Sequence, residues 1–394
     1  MASCFVHPAV AATGTCDACG KPVCMRCTKG TLDGFMCPPC AHRRYGRRKL
    51  IVGLKVAAIA AVVIAVAVGG LMVVGRGNRT SKPPVPKVRD PDPTVAALLD
   101  SRDLAPCDRK LVRQLADALS KLDRYAEVVE HGNAFFAKCG PFPRLEWTVV
   151  HALQQLGRYA EAVKHSTVII EDNPFDSDFW WWRGEDLVRS KQHAAALADY
   201  RQSFANAQRP EAARFPAGRI LDAADPAGRP CEGVFALRYF VEVQGGDLSG
   251  SLERRAAGLA ASAGCDDKAG RGTATWSPSA DDATIRVDVT SGAATGRFIV
   301  DARTGTTAVS QDFARRAGLA GGGPAGATVA ANVLKAGTLT TAAIAVGPTS
   351  ADDVDVLVVD ALPTGVDGVL GLSYLWRFQG LELGDAITVG AVEP

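Results

Sequence analysis

Three rhythms of hydrophobic and polar positions run along this chain. The first is a continuous apolar run, Val56 to Val74, holding 19 residues without a charge. As a helix it would span about 28 Å at about 1.5 Å per residue, close to the hydrocarbon thickness of a bilayer. It predicts one membrane-spanning helix within residues 50–75, flanked by Arg43, Arg44, Arg47, Arg48, Lys49 and Lys55 before it and Arg76, Arg79 and Lys82 after it. The second rhythm is helical and runs over residues 94–265. The third has strand period and starts near Thr273. Ile285-Arg286-Val287-Asp288-Val289 alternates apolar and polar side chains, and Gly296 to Asp301 follows after a turn. Between the first two rhythms lies residues 76–93, with Pro83, Pro84, Pro86, Pro91 and Pro93, which reads as a semi-extended linker.

Composition adds compartments to this picture. The chain has 394 residues, enough for two or three domains, and a net charge of +2 that suggests no bulk attraction to nucleic acid. Seven of its 11 cysteines precede the apolar run; Cys107, Cys139, Cys231 and Cys265 follow it. Thiolates on one side and bridged cysteines on the other predict a single-pass, membrane-integral protein. Its N-terminus would be cytoplasmic and its C-terminal region extracytoplasmic. The first 40 residues contain no apolar core that would mark a cleavable signal peptide.

The early cysteines are paired. Cys4-x-x-His7, Cys16-x-x-Cys19, Cys24-x-x-Cys27 and Cys37-x-x-Cys40 provide eight ligands, enough for two tetrahedral Zn2+ ions. Two intervening residues let one turn aim both ligands at one metal. No position is left for water, so the ions would be structural, and so short a segment needs the metal to fold. Residues 1–45 resemble a B-box-type zinc finger. That resemblance implies interleaved pairing, with Cys4, His7, Cys24 and Cys27 on one ion and the other four ligands on the second.

In the helical region Tyr125, Tyr159 and His193 stand 34 apart, each followed by Ala. The phrase Gly157-Arg158-Tyr159-Ala160-Glu161-Ala162 is the fullest. Trp180 and Gly184 take a bulky and a small position in the third copy. The pattern resembles tetratricopeptide repeats in three copies over about Arg109 to Pro210. Two more helices, Val234 to Val243 and Leu252 to Ala263, would cap the stack. Such stacks bind peptides on the concave face; Trp180, Trp181 and Trp182 are the candidate contact patch, with one or two indoles expected in the core instead. Cys107 with Cys139, and Cys231 with Cys265, are placed to bridge. Asp266 to Gly272 reads as a hinge.

Residues 273–394 read as an all-β, barrel-like domain. Phe298-Ile299-Val300-Asp301, Ser310, Phe313 to Leu319 and the turn Asp367 to Leu375 resemble a single-lobe, retropepsin-like aspartic protease. The resemblance implies one catalytic aspartate per lobe, Asp301, and therefore a homodimer for activity. Active members carry Thr-Gly after that aspartate. Here Ala302 and Arg303 stand there, removing the bracing hydroxyl and setting a guanidinium where the dyad must share a proton.

The expected fold class is multidomain: a small zinc-stabilised module, one transmembrane helix, an α-helical repeat stack and an all-β retropepsin-like barrel. The expected function is a scaffold or sensor that binds protein or peptide partners. Nucleic acid is not an expected partner. The alternative is a membrane-tethered dimeric aspartic endopeptidase; with Asp301 vestigial, the reading leans away from an enzyme.

Overall fold

The computed structural model describes residues 14–15, 21–23, 29–31, 34–36, 90–207, 209–279, 284–319 and 323–390. The chain divides into two compact units, Met1–Lys87 and Val88–Pro394. In the first unit, β1 (Gly14–Thr15) pairs antiparallel with β2 (Pro22–Val23), and β3 (Lys29–Thr31) with β4 (Gly34–Met36).

The second unit begins with ten helices: α1 (Pro93–Leu104), α2 (Arg109–Lys121), α3 (Tyr125–Cys139), α4 (Pro143–Gln155), α5 (Tyr159–Asp172), α6 (Ser177–Arg189), α7 (His193–Asn206), α8 (Pro210–Ala224), α9 (Pro230–Glu242) and α10 (Gly250–Ala263). Asp92 caps α1, Asp108 caps α2 and Asp176 caps α6, each accepting backbone N–H groups at the helix start. From α2 to α9 the helices form four hairpins. Each hairpin turns through a residue of positive φ: Asp123, Gly157, Lys191 and Gly228. The first three lie 34 apart, which is the repeat seen in the sequence.

The cap is therefore larger than the expected helix pair. Residues 210–242 form a fourth hairpin, and α10 follows it. The helical pattern expected through residue 265 holds, but the sequence delimits only two helices within its cap; Gly218 and the internal Pro216 obscure the bounds of α8. Both pairs of late cysteines are bridged: Cys107–Cys139 closes the first hairpin and Cys231–Cys265 ties α9 to the end of α10.

The β domain comprises β5 (Ala274–Trp276), β6 (Arg286–Ser291), β7 (Ala294–Val300), β8 (Thr307–Ser310), α11 (Gln311–Arg316), β9 (Ala325–Ala330), β10 (Val333–Val346), β11 (Thr349–Val359), β12 (Gly368–Leu370), α12 (Leu372–Leu375), β13 (Glu382–Leu383) and β14 (Ile387–Val389). Seven strands take the order β11-β8-β12-β7-β6-β10-β9, and β10 also pairs with β11, so the sheet closes on itself. The strict inside–outside alternation of β6 and β7 fills the interior. β9 and the start of β10 form a hairpin that turns at Ala331 and Asn332, both with positive φ. A second, three-stranded sheet joins β13, β14 and β5.

The stack and the β domain share one hydrophobic core. Tyr200, Phe204, Phe235 and Phe240 from the helices are buried with Phe298, Tyr374 and Trp376 from the barrel. The segment expected to hinge is pinned: Gly270 donates to the Arg377 carbonyl, and Arg271 exchanges two backbone hydrogen bonds with Ser350.

The single-pass membrane reading is corrected here. Among the described residues no helix is long and apolar enough to cross a membrane. The longest, α3 and α8, have 15 residues, about 22 Å of helix, and both carry charges. The run Val56 to Val74 lies outside the described residues. The transmembrane helix of the expected fold class, and the cytoplasmic and extracytoplasmic sidedness built on it, are withdrawn.

Candidate functional site

Asp301 stands where β7 ends. Its backbone N–H donates to the Leu370 carbonyl at 3.0 Å, which anchors the loop to β12. One oxygen of its carboxylate accepts from the Arg303 backbone N–H at 3.0 Å and from the Arg303 guanidinium at 3.2 Å. The Asp301 side chain is 16% exposed and that of Arg303 67%. Both Arg303 contacts thus fall on the same oxygen of the carboxylate. The loop is laced to the second turn: Leu372 donates to the Thr304 carbonyl at 2.8 Å, and Gly371 to the Thr307 hydroxyl at 3.1 Å. Ser310 accepts from the Phe313 N–H and so caps α11.

The loop is also gripped from the helical stack. Gln202, on α7, is fully buried. Its Oε1 accepts from the Gly305 N–H at 3.0 Å, from the Thr328 hydroxyl at 2.7 Å and from the Val329 N–H at 2.8 Å. Its Nε2 donates to the Arg303 carbonyl at 3.0 Å and to Asn206 Oδ1 at 2.9 Å. One amide thus joins the Asp301 loop to the β9–β10 hairpin. Ala198, one helical turn earlier on the same face, is buried against Ala308, Ala330 and Leu339.

Beside this contact lies a buried charge cluster. Arg201 pairs with Glu232 at 2.8 Å and with Asp355; Asp355 also meets Arg229 at 2.9 Å; Glu232 pairs with Arg377 and accepts from the Trp376 indole at 3.2 Å. These groups come from α7, α9, β11 and the end of the barrel. Every charge has an opposite partner, which is the condition for tolerating such burial.

A second candidate site is a cleft of about 790 Å3 between α6, α8 and the start of α10, walled by Trp181, Trp182, Arg214, Phe215 and Leu252. Trp180 turns into the core instead, fully buried, with its indole N–H on the Pro174 carbonyl at 2.8 Å. Gly184 lies under the Tyr200 ring, where a Cβ would come within 2.5 Å. Of the three adjacent tryptophans, one is therefore core and two face the cleft. Trp182 also meets Trp147 edge-on at 5.7 Å, and Phe215 is 71% exposed. Trp147, Trp181 and Phe215 stand 34 residues apart, at one position of three successive first helices. The sequence reading overlooked this ladder because it followed the core position one residue away. Asp178 borders the cleft, and burial pushes its carboxyl up, reinforced by the charge of Asp176.

The eight expected zinc ligands, Cys4, His7, Cys16, Cys19, Cys24, Cys27, Cys37 and Cys40, lie outside the described residues. Among the described residues no group of three or more His, Cys, Asp or Glu could hold a metal ion.

Comparison with known proteins gives one family. Residues 287–377 match the family described as "gag-polyprotein putative aspartyl protease". No curated protein matches the sequence. Among solved structures, a retropepsin-like aspartic protease from Rickettsia conorii is similar, at 17% identity and a TM-score of 0.24, covering 30% of this chain and 90% of that one. A thermophilic tetratricopeptide protein of Thermus thermophilus matches at 18% identity and a TM-score of 0.27, over 42% of this chain and 88% of that one. MamA from Desulfovibrio magneticus RS-1 matches at 11% identity and a TM-score of 0.32, over 41% and 84%.

Proposed function

We propose that this chain is a protein-binding scaffold that takes an extended peptide segment of its partner into the aromatic cleft of its helical stack. The observation that carries the reading is the ladder of Trp147, Trp181 and Phe215. Trp181 and Phe215 line the open cleft, Trp147 packs edge-on against Trp182 at its side, and Phe215 at 71% and Trp147 at 39% keep apolar surface exposed that the core does not use. Aromatic side chains repeated at one helix position offer successive apolar contacts to an extended peptide.

A second reading, a dimeric aspartic peptidase, has the family match over residues 287–377 in its favour. Ala302 and Arg303 weigh against it. The shared-proton dyad needs two facing carboxylates with free lone pairs, and Arg303 occupies one oxygen of Asp301. In the N-terminal unit the four ligand pairs suit two structural zinc ions, which would hold a B-box-like finger for a further protein contact.

Panning a displayed random-peptide library on the full chain tests the scaffold reading. Selected peptides should lose affinity about tenfold or more on Phe215→Ala and on Trp181→Ala, as truncated aromatic anchors do. Binding indifferent to both substitutions sinks the proposed cleft. Metal analysis should find two zinc ions per chain, one of them lost when Cys24 and Cys27 are replaced by serine; a metal-free, folded N-terminal unit would refute the finger.

A further inference from the structure

We propose that helix α7 is the resident partner of the protease-like domain. It is seated between the Asp301 loop and the β9–β10 hairpin, and it makes that domain a clasp on the stack rather than half of a dimer.

Three observations meet at this face. Gln202 binds both jaws at once, taking Gly305 N–H from the loop and Val329 N–H from the hairpin on the same oxygen. The approach is at backbone distance: a Cβ on Gly305 would lie 2.6 Å from the Gln202 nitrogen and 2.7 Å from the Arg201 carbonyl carbon. The hairpin itself is packed on the stack, with Ala327 and Val329 buried against Ile170 and Trp180. A second copy or a peptide strand approaching Asp301 between the same jaws would have to displace these contacts.

The chemistry is consistent with a permanent occupant. Peptide-gripping clefts leave backbone donors free for the ligand. Here the donors on both jaws are already satisfied by a glutamine from the same chain, and the amide's own N–H groups are used on Arg303 and Asn206. The lost Thr-Gly after Asp301 fits this arrangement. The loop no longer needs a hydroxyl to brace a second lobe, because Gln202 braces it.

Native-state hydrogen exchange on the full chain tests the clasp. The Gly305 and Val329 amides should be protected and should open in the same cooperative step as the α7 amides when denaturant is raised. Gln202→Met, which keeps the volume and removes every hydrogen bond, should speed exchange at Gly305 and Val329 about tenfold while leaving α2–α4 unchanged. Should that variant fail to fold, the co-opening of wild-type Gly305 and Val329 with α7 remains the readout. Gly305 and Val329 opening well before α7, or exchanging as fast as exposed loops, would overturn the proposal. So would a native chain that self-associates with both jaws protected only in the dimer.

Discussion

Gln202 Oε1 accepts the Gly305 amide across 103 positions of sequence, and the Gly305 Cα rests on the helix backbone that carries Gln202. No other residue type leaves space there. Gly305→Ala would place a methyl group 2.6 Å from a backbone nitrogen, which neither side can yield cheaply. We expect a loss of about 2–3 kcal/mol or more, seen as a lowered denaturation midpoint with an unchanged m-value.

Glu232 is the hinge-pin of the buried charges. It is 1% exposed and serves Arg201, Arg377 and the Trp376 indole. Glu232→Gln leaves two buried guanidinium groups short of an anion and is expected to cost about 3–5 kcal/mol. Arg158→Ala, which breaks the exposed pair with Glu161, should leave the melting temperature unchanged. Equal effects from the two substitutions would contradict this ranking.

Asp186 sets a pH dependence. It is 1% exposed, Gln154 Nε2 donates to it at 2.9 Å, and burial pushes its carboxyl up to about 6 from an ordinary value near 3.8. Folding therefore favours its protonated form. The stability it contributes is complete below about pH 3.8, fades as pH rises, and is gone above about pH 6. Asp186→Asn should remove this slope and leave the chain more stable at pH 7, by on the order of 1–3 kcal/mol. Urea midpoints from pH 4 to pH 7 would show the two curves diverging upward; parallel curves would refute it.

The bridges Cys107–Cys139 and Cys231–Cys265 close loops of 32 and 34 residues. The chain-entropy model assigns each about 3.5–4 kcal/mol. Replacing either pair by serine should lower thermal stability, the first mainly in α1–α3 and the second in α8–α10, as resolved by amide exchange.

The sequence made the repeat and the barrel legible to different depths. Tyr125, Tyr159 and His193 announced the hairpins because the turn before each needs one left-handed residue at a fixed offset. The fourth hairpin was hidden by Pro216 and by three extra residues before Gly228, which break the 34-residue spacing. The motif around Asp301 was readable because strand, loop and cap are local. Gln202 was not readable, since nothing within α7 distinguishes a glutamine that will be fully buried from one on the surface. The apolar run of residues 56–74 dominated the reading of topology, and the helices that are described offered it no support.

Acid-range peptide cleavage by the full chain, compared with Asp301→Asn, tests the central claim most directly. Scaffold use of a closed protease-like domain predicts no Asp301-dependent cleavage between about pH 3 and pH 7. Cleavage in the wild-type chain that disappears in Asp301→Asn would contradict it.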